Sequence, residues 1–270
     1  MPADNEIYNQ PGDIWWDERQ PLHAIRTALN PARLQYFASV FSARGLNPAG
    51  KIIIDIGCGG GLMAEEIARL GAAVIGIDPS AASIATARAH AAGTGLEIDY
   101  RVGSGEHLPV DDGCADVAYC VDVLEHVADV DAVIGETARV LKPGGLYLFD
   151  TINRTRLSKL VVIKLSQQWA ATACMPPGLH DWNQFITPEE LGVCLARHGL
   201  GQHDLTGMSL RISPLTAIRL LRQVKKGTLS YADFGRQAAC TLTSNLRLSY
   251  LGHATKSGAQ GGRCHDGTDR

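Results

Sequence analysis

The chain has 270 residues, 45% of them hydrophobic and 20% charged, the balance of a soluble globular protein. That length suits one generous domain, or one domain with an insertion. A formal net charge of -3 offers no basic face for nucleic acid, and no apolar run is long enough to span a membrane.

The first residues (MPADNEIYNQPGDIWWDE) are acidic and polar and lack the apolar core of a secretory signal. Cys58, Cys114, Cys120, Cys174, Cys194, Cys240 and Cys264 are scattered, odd in number and free of any C-x-x-C pair. Such spacing fits free thiols in a reducing compartment, so a cytoplasmic protein is expected.

Residues 1–50 are read as an N-terminal helical cap. From 51 the pattern alternates between short apolar runs and longer helical stretches. Residues 51–56 (KIIIDI) read as a buried parallel strand, followed by a glycine cluster and a helix over 62–70. A strand at 73–77 leads into a helix at 80–92 with Ser80 as its N-cap, and strands follow at 97–102 and 115–121. A helix over 129–141 is stopped by Lys142-Pro143-Gly144-Gly145, and 146–151 is a fifth strand, closing a core of residues 51–153. Beyond it, 154–186 looks like an inserted lid or membrane-facing segment, its stretch 154–173 apolar but dotted with basic residues. Leu157, Leu160, Val161, Lys164, Leu165 and Gln168 fall there at helical spacing, and Lys159 and Lys164 are long enough to snorkel at a headgroup surface. Residues 187–256 supply a helix capped by Thr187, a second helix near 214–225, and strands at 204–212 and 246–254 that can finish the sheet. The Gly-rich tail 257–270 is expected to be disordered.

Strands separated by helices of this length imply right-handed crossovers and a parallel α/β sheet covered on both faces. Ligands in such sheets sit beyond the carboxyl ends of the strands, which places the chemistry after Ile56, Ile77, Val102 and Val121. There the chain carries Asp55-Ile56-Gly57-Cys58-Gly59-Gly60-Gly61, a carboxylate and a glycine turn that lets backbone pass closely under a ligand. Asp78 follows about 20 residues later, where a carboxylate accepts ribose hydroxyls. Gly59, Gly61 and Ala64 also satisfy the G-x-G-x-x-A dinucleotide pattern, so an NAD-binding oxidoreductase competes at this point.

Asp122, Glu125 and His126 lie three and four residues apart, so a helical turn would bring them to one face. Two carboxylates and an imidazole could hold a divalent cation, or the three residues could simply shape the loop. His180, in the insertion, titrates near neutrality when free and is either a proton acceptor or a plain loop residue. Trp15, Trp16, Trp169 and Trp182 either wall an apolar pocket or pack conventionally.

The glycine motif and Asp78 precede four further elements: Val102-Gly103-Ser104-Gly105-Glu106-His107-Leu108-Pro109, Ala115-Asp116-Val117, Asp122-Val123-Leu124-Glu125-His126-Val127 and Val140-Leu141-Lys142-Pro143-Gly144-Gly145. In this order they resemble the Rossmann-like S-adenosylmethionine methyltransferases over residues 51–151. The resemblance implies a seven-stranded sheet, helices on both faces and a reversed final hairpin. One departure is Ser104, which stands where many relatives carry an Asp for the adenine amino group; Glu106 or a backbone carbonyl would take that role. The flanks, Trp15-Trp16-Asp17, Pro21-Leu22-His23, Asn30-Pro31-Ala32-Arg33-Leu34, Gly178-Leu179-His180-Asp181-Trp182, Phe185-Ile186-Thr187-Pro188-Glu189-Glu190-Leu191 and Tyr250-Leu251-Gly252-His253-Ala254, are similar to the ubiquinone-biosynthesis O-methyltransferase family. That likeness runs to about Lys256 and is weakest over 212–243.

The resemblance implies S-adenosylmethionine contacts at Arg33 (a guanidinium fork for the methionine carboxylate), Gly57, Asp78 and Val121, to which the motif adds Asp55, Gly59, Ser104 and Glu106. It also implies Mg2+ at Asp122, Glu125 and His126, the first acid here being one methylene shorter than the family's Glu. The expected reaction is an in-line displacement by a phenol or catechol oxygen of a polyprenylated acceptor, with His126 or His180 as base. A natural-product or carbon-directed methyltransferase with the same cofactor remains an alternative.

Overall fold

Runs such as Ile52-Ile53-Ile54 are apolar on both sides of the pleat and must be buried on both faces, which a central parallel strand achieves. In the computed structural model, which describes residues 5–9, 13–170 and 172–258, five strands form the parallel half of one sheet, with such runs at its centre. They are β1 (Ile52–Ile56), β2 (Ala73–Asp78), β3 (Asp99–Val102), β4 (Ala115–Cys120) and β5 (Leu141–Ile152), in the order β3-β2-β1-β4-β5. On one face Ile53 and Val74 pack with Phe37 of α1 (Asn30–Ala43), Ile67 of α2 (Ala64–Ala68) and Ile84 of α3 (Ala81–Thr94). On the other, Ile54 and Ile77 pack with Val133 of α4 (Val130–Val140) and later helices. Alternate residues of one strand thus feed two cores.

The helix starts follow capping chemistry. Ser80 accepts from Ser83 N ahead of α3, and Asp129 accepts from Ala132 N ahead of α4. The Lys142-Pro143-Gly144-Gly145 stop ends α4, but the backbone enters β5 at once, with a register irregularity against β4.

The insertion departs from a regular helix. A three-residue turn, α5 (Arg156–Ser158), runs into a π-helix over Lys159–Gln168. Its wider period turns Ile163 and Gln167 inward and leaves Leu160 about half exposed. α6 (Pro188–Arg197) begins with a reciprocal Thr187–Glu190 capping box.

The sheet has nine strands among the described residues, not the expected seven. The strand expected at 204–212 is β7 (Thr206–Leu210), and an additional short β6 (Leu200–Gln202) precedes it; both are antiparallel to β9 (Ser249–Lys256). An unforeseen β8 (Cys240–Thr243) lines the outside of β7. β9 itself runs antiparallel to β5, giving the reversed final hairpin. Between β7 and β8 come α7 (Pro214–Lys225), as expected, and α8 (Tyr231–Ala238), which was not. α8 docks on the N-terminal cap at Ile25–Leu29, where Gly235 has no room for a side chain: a Cβ would lie 1.9 Å from Thr27 Oγ1. Most of the tail, residues 259–270, lies outside the described residues.

Candidate active site

The chain leaves β1 through Gly57, whose φ of +75° is a left-handed conformation. A Cβ there would stand 2.3 Å from Val123 Cγ2, so glycine lets this turn press against the loop after β4. Asp78, at the end of β2, accepts from Gly59 N at 2.9 Å through Oδ2 and from Ser80 N at 2.8 Å through Oδ1. Its carboxylate therefore ties the glycine turn to the start of α3 and still has lone pairs to offer. Burial raises its pKa against these two hydrogen bonds.

Above these strand ends opens a cavity of about 510 Å³. Arg33, Asp55, Gly57, Gly59, Asp78, Ser104, Glu106 and Val121 all line it, as do Asp122 and His126. Asp55 lies at its base, its carboxyl pushed up to about 7 chiefly by burial. Ser104 forms an isolated bridge with His107, and Glu106 accepts from Ala128 N at 3.2 Å.

Arg33 is 1% exposed and is held where it stands. Its Nε donates to Asp150 Oδ2 at 2.6 Å, Nη1 donates to Asn30 Oδ1 at 3.1 Å, and Nη2 lies 2.6 Å from Asp122 Oδ1. Asp150 in turn accepts from Asp122 N at 2.8 Å. Burial raises the Asp150 carboxyl pKa, and the guanidinium pulls it back down.

Asp122 has a φ of +54°, so residues 122–126 form a tight turn and not the helical turn expected. The consequence is a correction to the acid–histidine cluster. Asp122 faces Arg33, and the donors that converge are Glu125, His126 and His180, their ligating atoms within 4.8 Å of one another. Glu125 is buried and accepts from Thr151 Oγ1 at 2.8 Å; burial, then the charges of Asp122 and Asp150, raise its pKa. Burial lowers His126 to about 4 and His180 to about 3, so both imidazoles are neutral at pH 7. Their rings lie 4.8 Å apart, and Nδ1 of each is buried without a hydrogen-bond partner among the described residues. His180 lines a second hollow with Lys159, Ile163 and Trp182 rather than the main cavity. Unpartnered imidazole nitrogens beside a carboxylate are able to ligate a cation. One carboxylate and two imidazoles, however, match a transition metal better than Mg2+, which takes oxygen donors.

Sequence reasoning did not single out Asp150, Asn30, Thr151 or Tyr8. Asp150 was detectable as the one carboxylate inside the apolar fifth strand (LYLFDT), at the carboxyl end where ligands bind.

Residues 54–149 match the model of a methyltransferase domain. Among solved structures, the PH0226 protein of Pyrococcus horikoshii OT3 superposes with a TM-score of 0.59 at 16% identity, covering 94% of this chain and 100% of that one. A SAM-dependent methyltransferase of Aquifex aeolicus gives a TM-score of 0.53 at 12% identity, covering 86% and 92%. These likenesses show the fold, and the domain match marks residues 54–149 as a methyltransferase domain, so the dinucleotide reading of the glycine turn gives way. Curated relatives narrow the class. The ubiquinone biosynthesis O-methyltransferase of Xanthomonas axonopodis pv. citri (strain 306) is 41% identical over 198 residues, 72% of this chain and 78% of that protein. Its namesake in Nitrosococcus oceani is 39% identical over 234 residues, 84% and 94%. The chain belongs to the ubiquinone-biosynthesis O-methyltransferase family.

Proposed function

We propose that this enzyme transfers the methyl group of S-adenosylmethionine to a phenolic oxygen of a catechol-type quinone precursor bearing a polyprenyl tail. The observation that carries the reading is His126, a buried neutral imidazole lining the same cavity as Asp78 and the glycine turn. The names of the curated relatives support the acceptor class.

S-adenosylmethionine, when bound, supplies an electrophilic methyl on a positively charged sulfur. Asp78 would hold the ribose, and the turn at Gly57 and Gly59 lets the backbone approach closely. Arg33 fixes Asp122 and has N–H donors to spare for a carboxylate. His126, with His180 behind it, would take the phenolic proton. An ordinary phenol near 10 is far too weak an acid for an imidazole near 4 in the ground state. Its proton becomes acidic as the oxygen bonds to carbon, so the transfer belongs to the transition state. Alternatively, Glu125, His126 and His180 would hold a cation whose charge favours the phenolate, and the imidazoles would then be its ligands and not the base.

The tail asks for an apolar approach. No described helix is long and apolar enough to cross a membrane. Leu160, Trp169 and Met175, from the insertion, are three of the eight large hydrophobics left exposed among the described residues, and Lys159 and Lys164 lie beside them in sequence. This segment would rest on a bilayer surface and receive the acceptor there.

Isothermal titration with S-adenosylhomocysteine tests the donor half, with binding expected for the wild type and collapse expected for Asp78→Ala. Turnover of catechols with short and long prenyl tails tests the acceptor half. Equal rates on an untailed natural-product phenol would replace the quinone-precursor reading with the natural-product alternative.

A further inference from the structure

The N-terminal segment lies over the cofactor cavity and is fastened by side chains of α3. Tyr8, in a short turn over Glu6–Asn9, accepts from Ser80 Oγ at 2.7 Å and Ser83 Oγ at 3.0 Å through its carbonyl. Ser83 Oγ also accepts from Trp15 Nε1 at 3.1 Å, so one buried hydroxyl ties both aromatic residues to the start of α3. Trp16 Nε1 donates to Gly60 O at 2.8 Å, and Asn5 Nδ2 donates to His126 O at 3.3 Å. Trp15 covers the glycine turn so tightly that a Cβ on Gly60 would lie 2.2 Å from its ring.

The placement of the Tyr8 ring follows from these ties. It stacks on Trp15 with centroids 5.7 Å apart and planes 12° apart, and meets His126 edge-on at 6.1 Å. Burial, then the charges of Asp122, Glu125 and Asp78, hold its hydroxyl well above the ordinary tyrosine range. The ring touches His126, where the acceptor is expected, and lines the same cavity as Asp78, where ribose is expected. A donor that reaches from Asp78 to His126 within that cavity would bring its sulfur near the Tyr8 ring. That sulfur carries a positive charge before transfer and none afterwards, and an aromatic face attracts a desolvated cation.

We propose that Tyr8, backed by Trp15, forms an aromatic wall that recognises the positive sulfonium of the methyl donor and releases the neutral thioether product. This rests on the methyltransferase reading of the cavity and adds a residue that discriminates donor from spent cofactor.

The test is calorimetric affinity for S-adenosylmethionine and S-adenosylhomocysteine, without acceptor, in the wild type, Tyr8→Phe, Tyr8→Leu and Tyr8→Ala. Tyr8→Leu fills the place of the ring without a π face, and so guards against a mere packing defect. Leu and Ala variants are expected to lose about tenfold in affinity for the charged donor. Their affinity for the neutral product should change much less, and Tyr8→Phe should hold both ligands as the wild type does. Equal weakening toward both ligands, or no weakening, overturns the aromatic wall and leaves the cavity reading standing. A wild type that binds neither ligand overturns the cavity reading and the wall together.

Discussion

A guanidinium that is 1% exposed must be neutralised in place, and Arg33 lies between Asp122 and Asp150 for that reason. Replacing it with Met would leave the Asp150 carboxylate buried and Asp122 beside it, without their shared cation. We expect Arg33→Met to lose about 3–5 kcal/mol in urea unfolding; a change within error would mean that water already neutralises these acids. Glu125 offers a complementary test. Between its ordinary value of 4.5 and its raised folded value, the unfolded chain releases a proton that the folded chain keeps. Stability from this group is therefore full below that ordinary value and falls as pH rises toward the folded one. Glu125→Gln removes the dependence, so its melting temperature should gain on the wild type from pH 5 to pH 8, and parallel curves would contradict the buried acid. For His126→Ala, kcat should drop at least about 100-fold while S-adenosylhomocysteine binding persists. At this scale motifs in the sequence pointed to Arg33, Asp78 and His126, which line one cavity. The sequence hid the Arg33–Asp150 pair because 117 residues separate the partners and no local spacing signals such contacts. The turn at Asp122 was misjudged for a related reason: a non-glycine residue at φ +54° is set by its tertiary partners, Arg33 and Asp150, not by propensity.

Elements were legible where local chemistry is strong. β1, β2 and β4 stood out as continuous apolar runs, and Ser80, Asp129 and Thr187 marked the helix starts at which their side chains do accept backbone N–H groups. Thr187→Ala should therefore cost about 1 kcal/mol and shift the thermal midpoint down by a few degrees, with turnover per folded molecule unchanged. A larger loss, or a fall in kcat, would mean that α6 positions the site and not merely the scaffold. Legibility failed after α7, over 226–243, where α8 and β8 owe their place to long-range partners. α8 is fixed by the approach of Gly235 to Thr27, and β8 by pairing at the outer edge of β7. The strand expected at 204–212 is present as β7, whereas β6, just before it, owes its place to pairing with the far end of β9, which composition does not announce. In the insertion, helical spacing was the right signal with the wrong period. A π-helix turns Ile163 inward and Leu160 outward, so the apolar face read from a regular helix is not the face that is buried.

At the scale of the molecule, the sheet gathers every residue proposed for the cofactor around one cavity, and the insertion supplies the histidine that meets His126 from outside that cavity. This couples the lipid-facing proposal to the chemistry, because the segment carrying Leu160, Trp169 and Met175 continues through Gly178 to His180. Trp169, 58% exposed, suits the interfacial zone of a bilayer, and the Lys159 ammonium lies 4.3 Å over the Trp182 ring, beside the hollow that His180 lines. If the segment is a membrane contact, wild-type enzyme should float with vesicles containing anionic lipid, and Leu160→Asp/Trp169→Asp should stay at the bottom of the gradient. The same double variant should keep its rate on a short-tailed soluble catechol and lose rate only on the long-tailed acceptor presented in vesicles. Equal flotation of both proteins would assign these side chains to solvent. A parallel loss on the soluble catechol would instead make the segment a lid that orders His180.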